Sequence, residues 1–423
     1  MLLSFILLAK IERKLNGQNP YVSGLNKFVL LYIMPVSFNN TQIAFSSQTD
    51  SDLRRSYWLF RLISNSLLVS AGKVLTGIAL AIHFPIKWII KPTIFRQFCG
   101  GENVEESKKK MEALAQFNIK SVLDYSAEGK DSEKDFDICT EEIISIILES
   151  KQNKNIGFAV FKPSGIGRFA LLEKVSGGKT VLTEIEKKEF DRIHERCNRI
   201  CKTAYDCNVS IFVDAEESWI QLAVDGLVNE MMMLYNKEKA IVFNTFQLYR
   251  KDRLEYLIDC FLRARNENYF LGAKLVRGAY MEKERARAEK LNYPSPIIGT
   301  KDAVDSIYDG AIRFCMEHLE RIAFCAGTHN EKSSMLLVNL IKEKNLPNNH
   351  PHIYFSQLLG MSDHISYNLA SAGYNVSKYV PYGPVRDVIP YLIRRAQENT
   401  SVKGQTGREL SLILKERERR SKK

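Results

Sequence analysis

The chain has 423 residues, 45% of them hydrophobic and 26% charged, and 60 Lys+Arg against 49 Asp+Glu leave a net charge of +11. That mix excludes a disordered, collagen-like or disulfide-scaffold protein. The length allows two or three ordinary domains, or one large barrel with an appendage.

In chain order, residues 1–9 (MLLSFILLA) are apolar, but Lys10, Glu12, Arg13 and Lys14 follow at once. The stretch lacks the basic start and small-residue cleavage site of a secretory signal. Residues 1–36 therefore read as an uncertain leader or a misassigned start, with a docking helix as the alternative. Residues 37–120 read as an N-terminal helical segment. Within it, 53–98 is apolar and interrupted by Gly72, Gly77, Pro85 and Pro92, which predicts several short helices. They form either a packing layer against the main domain or a surface that touches lipid. No run of 18 or more apolar residues is found.

After Gly100-Gly101 the pattern changes. Eight short apolar or β-branched runs begin at Ser121, Ile156, Val209, Ala240, Phe270, Arg321, His352 and Asn375. Between and after them lie segments with apolar residues at i, i+3 and i+4, from EEIISIILES to VIPYLIRRAQEN. Eight strand–helix alternations over residues 121–400 predict an α/β fold, a (βα)8 TIM-type barrel. No GxGxxG follows a strand, so a Rossmann domain is not expected. Residues 401–423 form a basic tail, either a solvated helix end or a source of membrane-surface attraction. Cys197, Cys201 and Cys207 lack a CxxC pair and lie on an amphipathic helix, so they read as buried thiols and no metal site is expected. Eight cysteines in this length point to a reducing compartment.

Active sites of such barrels sit at the C-terminal ends of the strands. The polar residues there are Glu128, Lys162, Asp214, Gln247, Lys274 with Arg277 and Tyr280, His329, Gln357 and Tyr379. Each alone reads equally as a satisfied core group or a rim charge. A buried Lys162 needs an anion. Asp214 is either a helix N-cap or a buried carboxylate beside a cation. Two cations and a phenol in KLVRGAY, 274–280, suit an anionic ligand. Tyr391, Arg394, Arg395 and Glu398 share one helical face, and paired arginines match a carboxylate. His329 stands in GTHN without a ligand cluster, which favours hydrogen bonding to a cofactor.

The segments DAEE (214–217), TFQLY (245–249), KLVRGAYMEKE (274–284), GTHN (327–330), QLLGM (357–361) and YVPYGPVRDVIPYLIRRAQEN (379–399) resemble the proline dehydrogenase family. The likeness runs from about residue 38 to the end of the barrel. It implies FAD as cofactor, L-proline as substrate, Δ1-pyrroline-5-carboxylate as product and a membrane quinone as electron acceptor. Arg394 and Arg395 then look like the carboxylate clamp, assisted by Lys162. Tyr379, Tyr391 and Leu358 look like walls around the pyrrolidine ring, and Tyr280 and Asp214 like neighbours of substrate and flavin. Glu398 looks like the residue that orients the arginines, and Glu128 like a gate carboxylate. Gln247, Lys274, Arg277, Thr328 and His329 resemble the FAD contacts. One branch of the family has Arg at position 274, Lys at 277 and Trp at 281, where this chain has Lys274, Arg277 and Met281. Charge is kept, but the bidentate geometry differs.

The likeness also implies peripheral membrane association, at the cytoplasmic face of the inner membrane in a bacterium or at the mitochondrial inner membrane in a eukaryote. No nucleic acid partner is expected. With only a short tail after Glu398, the product is expected to pass to a separate pyrroline-5-carboxylate dehydrogenase. Hydroxyproline is the alternative substrate on the same fold. A Schiff-base lyase using Lys162 and a non-catalytic membrane-surface scaffold are rivals from other classes.

Overall fold

The computed structural model describes residues 36–82, 85–125, 131–178, 181–401 and 405–422, and leaves the side chains of 66, 78–81, 398–401 and 405–406 undescribed. The chain divides into Met1–Ser37 and a compact unit Phe38–Lys423; all that follows concerns the second. It opens with helices α1 (Thr41–Ala44), α2 (Asp50–Ile63), α3 (Ser66–Ala81), α4 (Lys87–Ile90) and α5 (Val104–Ala115). Thr49 and Asp52 form a reciprocal capping box that starts α2. Gly72 and Gly77 do not interrupt α3, contrary to expectation. A glycine weakens a helix by ~1 kcal/mol without breaking it. Pro92 does act as expected. The chain leaves α4 through a π-type turn, Lys91–Phe95, in which Thr93 departs from helical geometry.

The eight apolar runs form a closed parallel barrel in sequential order, β1 to β8. The strands are β1 (Ile119–Tyr125), β2 (Ile156–Phe161), β3 (Ile211–Val213), β4 (Val242–Gln247), β5 (Leu271–Val276), β6 (Ile322–Gly327), β7 (Ile353–Leu358) and β8 (Val376–Tyr382). β8 closes on β1 with Ile119 opposite Val376 and Tyr125 opposite Tyr382. The outer layer consists of α6 (Glu133–Gln152), α7 (Phe169–Gly177), α8 (Glu184–Cys207), α9 (Ser218–Tyr235), α10 (Arg253–Asn266), α11 (Met281–Lys290), α12 (Lys301–Glu317), α13 (Glu331–Glu343), α14 (Asp363–Ser371) and α15 (Val385–Ser401). The pattern pointed to one helix per strand. The β2–β3 and β5–β6 connections carry two each, because α7 and α11 are short and too polar or irregular to show a clean apolar stripe.

The barrel interior is filled rather than open. Phe158 and Phe212 stack with ring centres 4.2 Å apart, and Phe243 meets both edge-on. Val122, Val160, Ala323, Cys325 and Tyr379 complete this cluster. A second cluster joins α2, Phe95 and Phe98 to Val388, Tyr391 and Leu392 of α15. The N-terminal helices therefore back the helix that carries the paired arginines. The expected basic tail is a seventeen-residue helix, α16 (Gln405–Ser421), with Leu412 and Ile413 buried. Its cations are largely occupied: Arg419 and Arg420 pair with Glu416, and Arg417 lies over Tyr57. Seven of the eight cysteines are buried and all are free thiols, with burial raising Cys139 to about 11 and Cys260 and Cys325 to about 12.

Candidate active site

Four of the sequence candidates meet at the C-terminal end of the barrel. Lys162 follows β2, Asp214 follows β3, Lys274 lies on β5 and Tyr379 on β8. The Lys162 ammonium donates to Asp124 at 2.7 Å and stands 3.9 Å from Asp214. Lys274 pairs with Asp214 and donates to the Tyr379 hydroxyl at 2.8 Å, which in turn donates to Asp214 at 3.3 Å. Lys274 also lies over the Tyr379 and Phe212 rings, at 4.9 and 5.4 Å. Burial, with Asp214 beside it, pushes the Tyr379 phenol well above its ordinary value, so it stays protonated. The floor of the site is thus a network of fixed charges on an aromatic layer.

Leu358, at the end of β7, packs against both hydrophobic clusters and so links Tyr379 to Tyr391. Arg395 is buried and its guanidinium lies 5.1 Å from the centre of the Tyr391 ring. Arg394 is its half-buried neighbour on α15. Tyr280 heads α11, with Lys283 6.0 Å from its ring centre. Glu128, and the side chain of Glu398, lie outside the described residues.

The other side of the mouth is polar and cross-tied. Arg277 donates to Asp305 at 2.8 Å, Thr328 at 2.7 Å and Ser333 at 2.9 Å, and lies 4.2 Å over the Tyr308 ring. Gln357 donates to the Thr328 carbonyl at 3.1 Å. His329 shares a 2.9 Å hydrogen bond with Ser362, whose backbone N–H donates to the buried Glu409 of α16 at 2.6 Å. Burial, then Lys378, Arg395, His364 and Arg277, lower His329 to about 3, so its ring is neutral throughout the physiological range. Gln247 donates to the Glu216 carbonyl at 2.9 Å, and its buried side-chain oxygen has no hydrogen-bond partner among the described residues. Gly278 has φ +129°, and a Cβ there would strike the Tyr249 ring at 2.4 Å. The backbone at this turn has a shape that only glycine allows.

Several residues of the site were not among the sequence candidates. Asp124, the partner of Lys162, sits inside the run SVLDY, where an acid in an apolar strand was the available signal. Lys378 is buried in β8 and held by the Met361 carbonyl at 2.5 Å and Asp363 at 2.6 Å. Glu216 is buried and receives both the N–H and the hydroxyl of Ser164, at 3.0 and 2.5 Å. Burial raises its carboxyl to about 7. Nothing in the sequence pairs Glu409 or Ser362 with His329.

The model of the family described as "Proline dehydrogenase" matches residues 107–408. The carbapenem antibiotics biosynthesis protein CarD of Pectobacterium carotovorum subsp. carotovorum is 36% identical over 323 residues, covering 76% of this chain and 83% of that protein. Proline dehydrogenase 1, mitochondrial, of Homo sapiens is 41% identical over 241 residues, which is 56% of this chain but 40% of the human protein. Among solved structures, proline utilization A (PutA) from Bdellovibrio bacteriovorus, inactivated by N-propargylglycine, superposes with a TM-score of 0.66. At 17% identity, over 85% of this chain and 38% of that one, the likeness speaks for the fold. What the two share is the closed eight-stranded α/β barrel.

Proposed function

The chain belongs to the proline dehydrogenase family, and on that premise we propose that it oxidises L-proline to Δ1-pyrroline-5-carboxylate, with FAD as hydride acceptor and a membrane quinone as onward acceptor. The observation that carries the reading is the Lys162–Asp214–Lys274–Tyr379 network set beside the Leu358–Tyr391 wall and Arg395. Fixed charge next to an apolar wall suits a small ring that bears a carboxylate. Arg394 and Arg395 clamp the carboxylate, Lys162 adds a third cation, and Tyr379, Tyr391 and Leu358 enclose the ring. Asp214 and Tyr280 border the ring. Glu398 orients the arginines, and Glu128 gates the entrance.

The residues fit a flavin. Gln247 offers a buried acceptor without a partner among the described residues. Gln247, Lys274, Arg277, Thr328 and His329 would hold it. FAD supplies, when bound, the acceptor for the hydride that leaves the carbon beside the proline nitrogen. The protein supplies position, and the hydrogen-bonded Asp214, Lys274 and Tyr379 present a preorganised polar network to the ring. His329 is a poor base at pH 7 and is tied to Ser362, so the amine proton leaves to solvent. We place the enzyme at the surface of an inner membrane, bacterial or mitochondrial.

Two rivals are less well supported. The donor of the Tyr379 hydroxyl is committed to Asp214 and Leu358 is apolar, so a hydroxylated ring meets no ready partner there. Lys162 is an ion-pair donor to Asp124, whereas a Schiff base needs an uncommitted amine. An anaerobic absorbance spectrum before and after adding L-proline tests the reading. Bleaching of a flavin band is expected. Bleaching by hydroxyproline alone would move the substrate, and a colourless protein that FAD cannot reconstitute would sink the proposal, leaving borohydride trapping on Lys162 as the next test.

A further inference from the structure

A short chain of bonds joins the C-terminal helix to the cofactor residues. His329, in the turn after β6, bonds through Nδ1 to the Ser362 hydroxyl at 2.9 Å. The Ser362 N–H donates to Glu409 Oε1 of α16 at 2.6 Å. Ser362 and Glu409 are both buried. Steps of 33 and 47 positions in sequence separate the three residues, so nothing local brings them together.

Ser362 is an unusual residue for its backbone. Among the described residues six that are not glycine have positive φ. Five of them are Asn, which tolerates that region, and the sixth is Ser362 at +52°. Ser362 also immediately precedes α14, a position where a serine ordinarily caps the helix with its own oxygen. Thr49, Thr183 and Thr300 do this for α2, α8 and α12. Ser362 makes no such bond, and its hydroxyl turns to His329 instead. Glycine would suit the backbone at this turn, so what a side chain adds there is the hydroxyl.

The bonds around Ser362 hold the turn from several sides. Lys378 of β8, wholly buried, donates to the carbonyls of Leu358 at 3.3 Å and Met361 at 2.5 Å and to Asp363 at 2.6 Å. Gln97 donates to the Gly360 carbonyl at 3.0 Å. Glu409 closes the remaining side, with His364 Nδ1 3.9 Å away. The loop 358–363 is therefore a fixed bracket, with Leu358 at one end and the partner of His329 at the other.

We propose that Glu409 is a positioning residue of the cofactor site: by holding the Ser362 N–H it fixes the hydroxyl that orients His329, so that α16 sets the affinity for the flavin. Burial keeps the His329 ring neutral. A bond fixed at one nitrogen of a neutral imidazole sets the ring plane and decides which nitrogen carries the proton. Simple capping of α14 would account for the Glu409 bond but not for the serine. The proposal rests on the flavin reading above and adds to it a residue from the far end of the chain.

The test is the FAD dissociation constant, read as flavin fluorescence released when the holoprotein is diluted, together with the position of the visible flavin band. Glu409→Ala should weaken FAD binding about tenfold and shift the band, the worth of one lost hydrogen bond at the ring. Glu409→Gln keeps an acceptor for the Ser362 N–H and should restore both. Ser362→Gly suits the backbone but lacks the hydroxyl, so it should match Glu409→Ala; it serves also if Glu409→Ala does not fold. Arg420→Ala, at the other end of α16, should lower stability and leave FAD affinity at the parent value. Parent affinity in folded Glu409→Ala or in Ser362→Gly would overturn the proposal. So would an equal loss in Arg420→Ala, which would make the effect one of helix docking in general. Those outcomes leave the flavin reading standing, because the parent still binds FAD; a parent that never takes up FAD would sink both.

Discussion

Arg395 is buried against the Tyr391 ring, where it can be desolvated without stranding only if it faces an anion. Replacing both Arg394 and Arg395 with Met should raise the proline KM by orders of magnitude, about 2–5 kcal/mol for lost charge-paired contacts. Flavin content should be unchanged; an unaltered KM would remove the clamp from the mechanism. Glu216 makes a different kind of prediction. Burial raises its carboxyl from 4.5 to about 7. The folded state therefore keeps a proton that the unfolded chain gives up. Stability declines as pH rises from about 4.5 through 7, by about 3 kcal/mol in total, and below that window the group has no effect. Glu216→Gln should flatten thermal stability between pH 5 and 8. A variant whose Tm keeps the parent's pH slope would show that the carboxylate is already ionised when folded.

The helices around the barrel differ in how firmly each is specified. α8 begins at a capping box of Thr183 with Glu186 and ends at Asn208 in a left-handed cap, and its apolar stripe buries Ile193, Cys197, Ile200 and Cys201. α3 is capped at its start by Asn65, whose side chain accepts from the Leu67 and Leu68 N–H groups at 3.0 and 3.3 Å, but it carries Gly72 and Gly77, where an added Cβ would meet nothing within 4 Å. Gly72→Ala and Gly77→Ala should each stabilise the protein by about 0.5–1 kcal/mol, read as a shift in denaturant midpoint. A loss of stability would mean that α3 is not helical through its middle. Gly360 is the contrary case. Its φ is +74° and the Gln97 carbonyl lies 2.2 Å from where a Cβ would stand, so this glycine lets the N-terminal layer dock on the loop after β7.

The molecule is closed twice, once by β8 on β1 and once by α16 on the first helices. Arg420 donates to the carbonyls of Phe45 and Gln48, both at 2.9 Å, and to Asp50 at 2.8 Å. These bonds tie residue 420 to residues 45–50 across the whole chain. Arg420→Ala should cost about 1–2 kcal/mol, because partly buried carbonyls and Asp50 lose their donor. Equilibrium unfolding checks this, and an effect below a few tenths of a kcal/mol would make the closure incidental. The closure also explains why α16 reaches the site: Glu409 holds the Ser362 N–H that positions the partner of His329.

Strand and helix positions were legible because burial imposes a period on apolar residues, and all eight strands lie where the runs from Ser121 to Val380 place them. Barrel closure put the strand-end residues at one mouth, so Lys162, Asp214, Lys274 and Tyr379 could be named together before their contacts were known. Their partners could not. Asp124 and Lys378 look alike on paper, polar residues in apolar strands, yet one faces the mouth and the other is held outside the barrel by Asp363. A strand alternates its faces, but which face is inward depends on the neighbouring strands' register. The same limit hid the role of the last helix, whose cations read as a solvated tail until Glu416, Tyr57 and the carbonyls of the first helices were brought to them. Local periodicity is a property of neighbours in sequence, whereas ion pairing and burial are set by residues hundreds of positions apart, which meet only once the chain has folded.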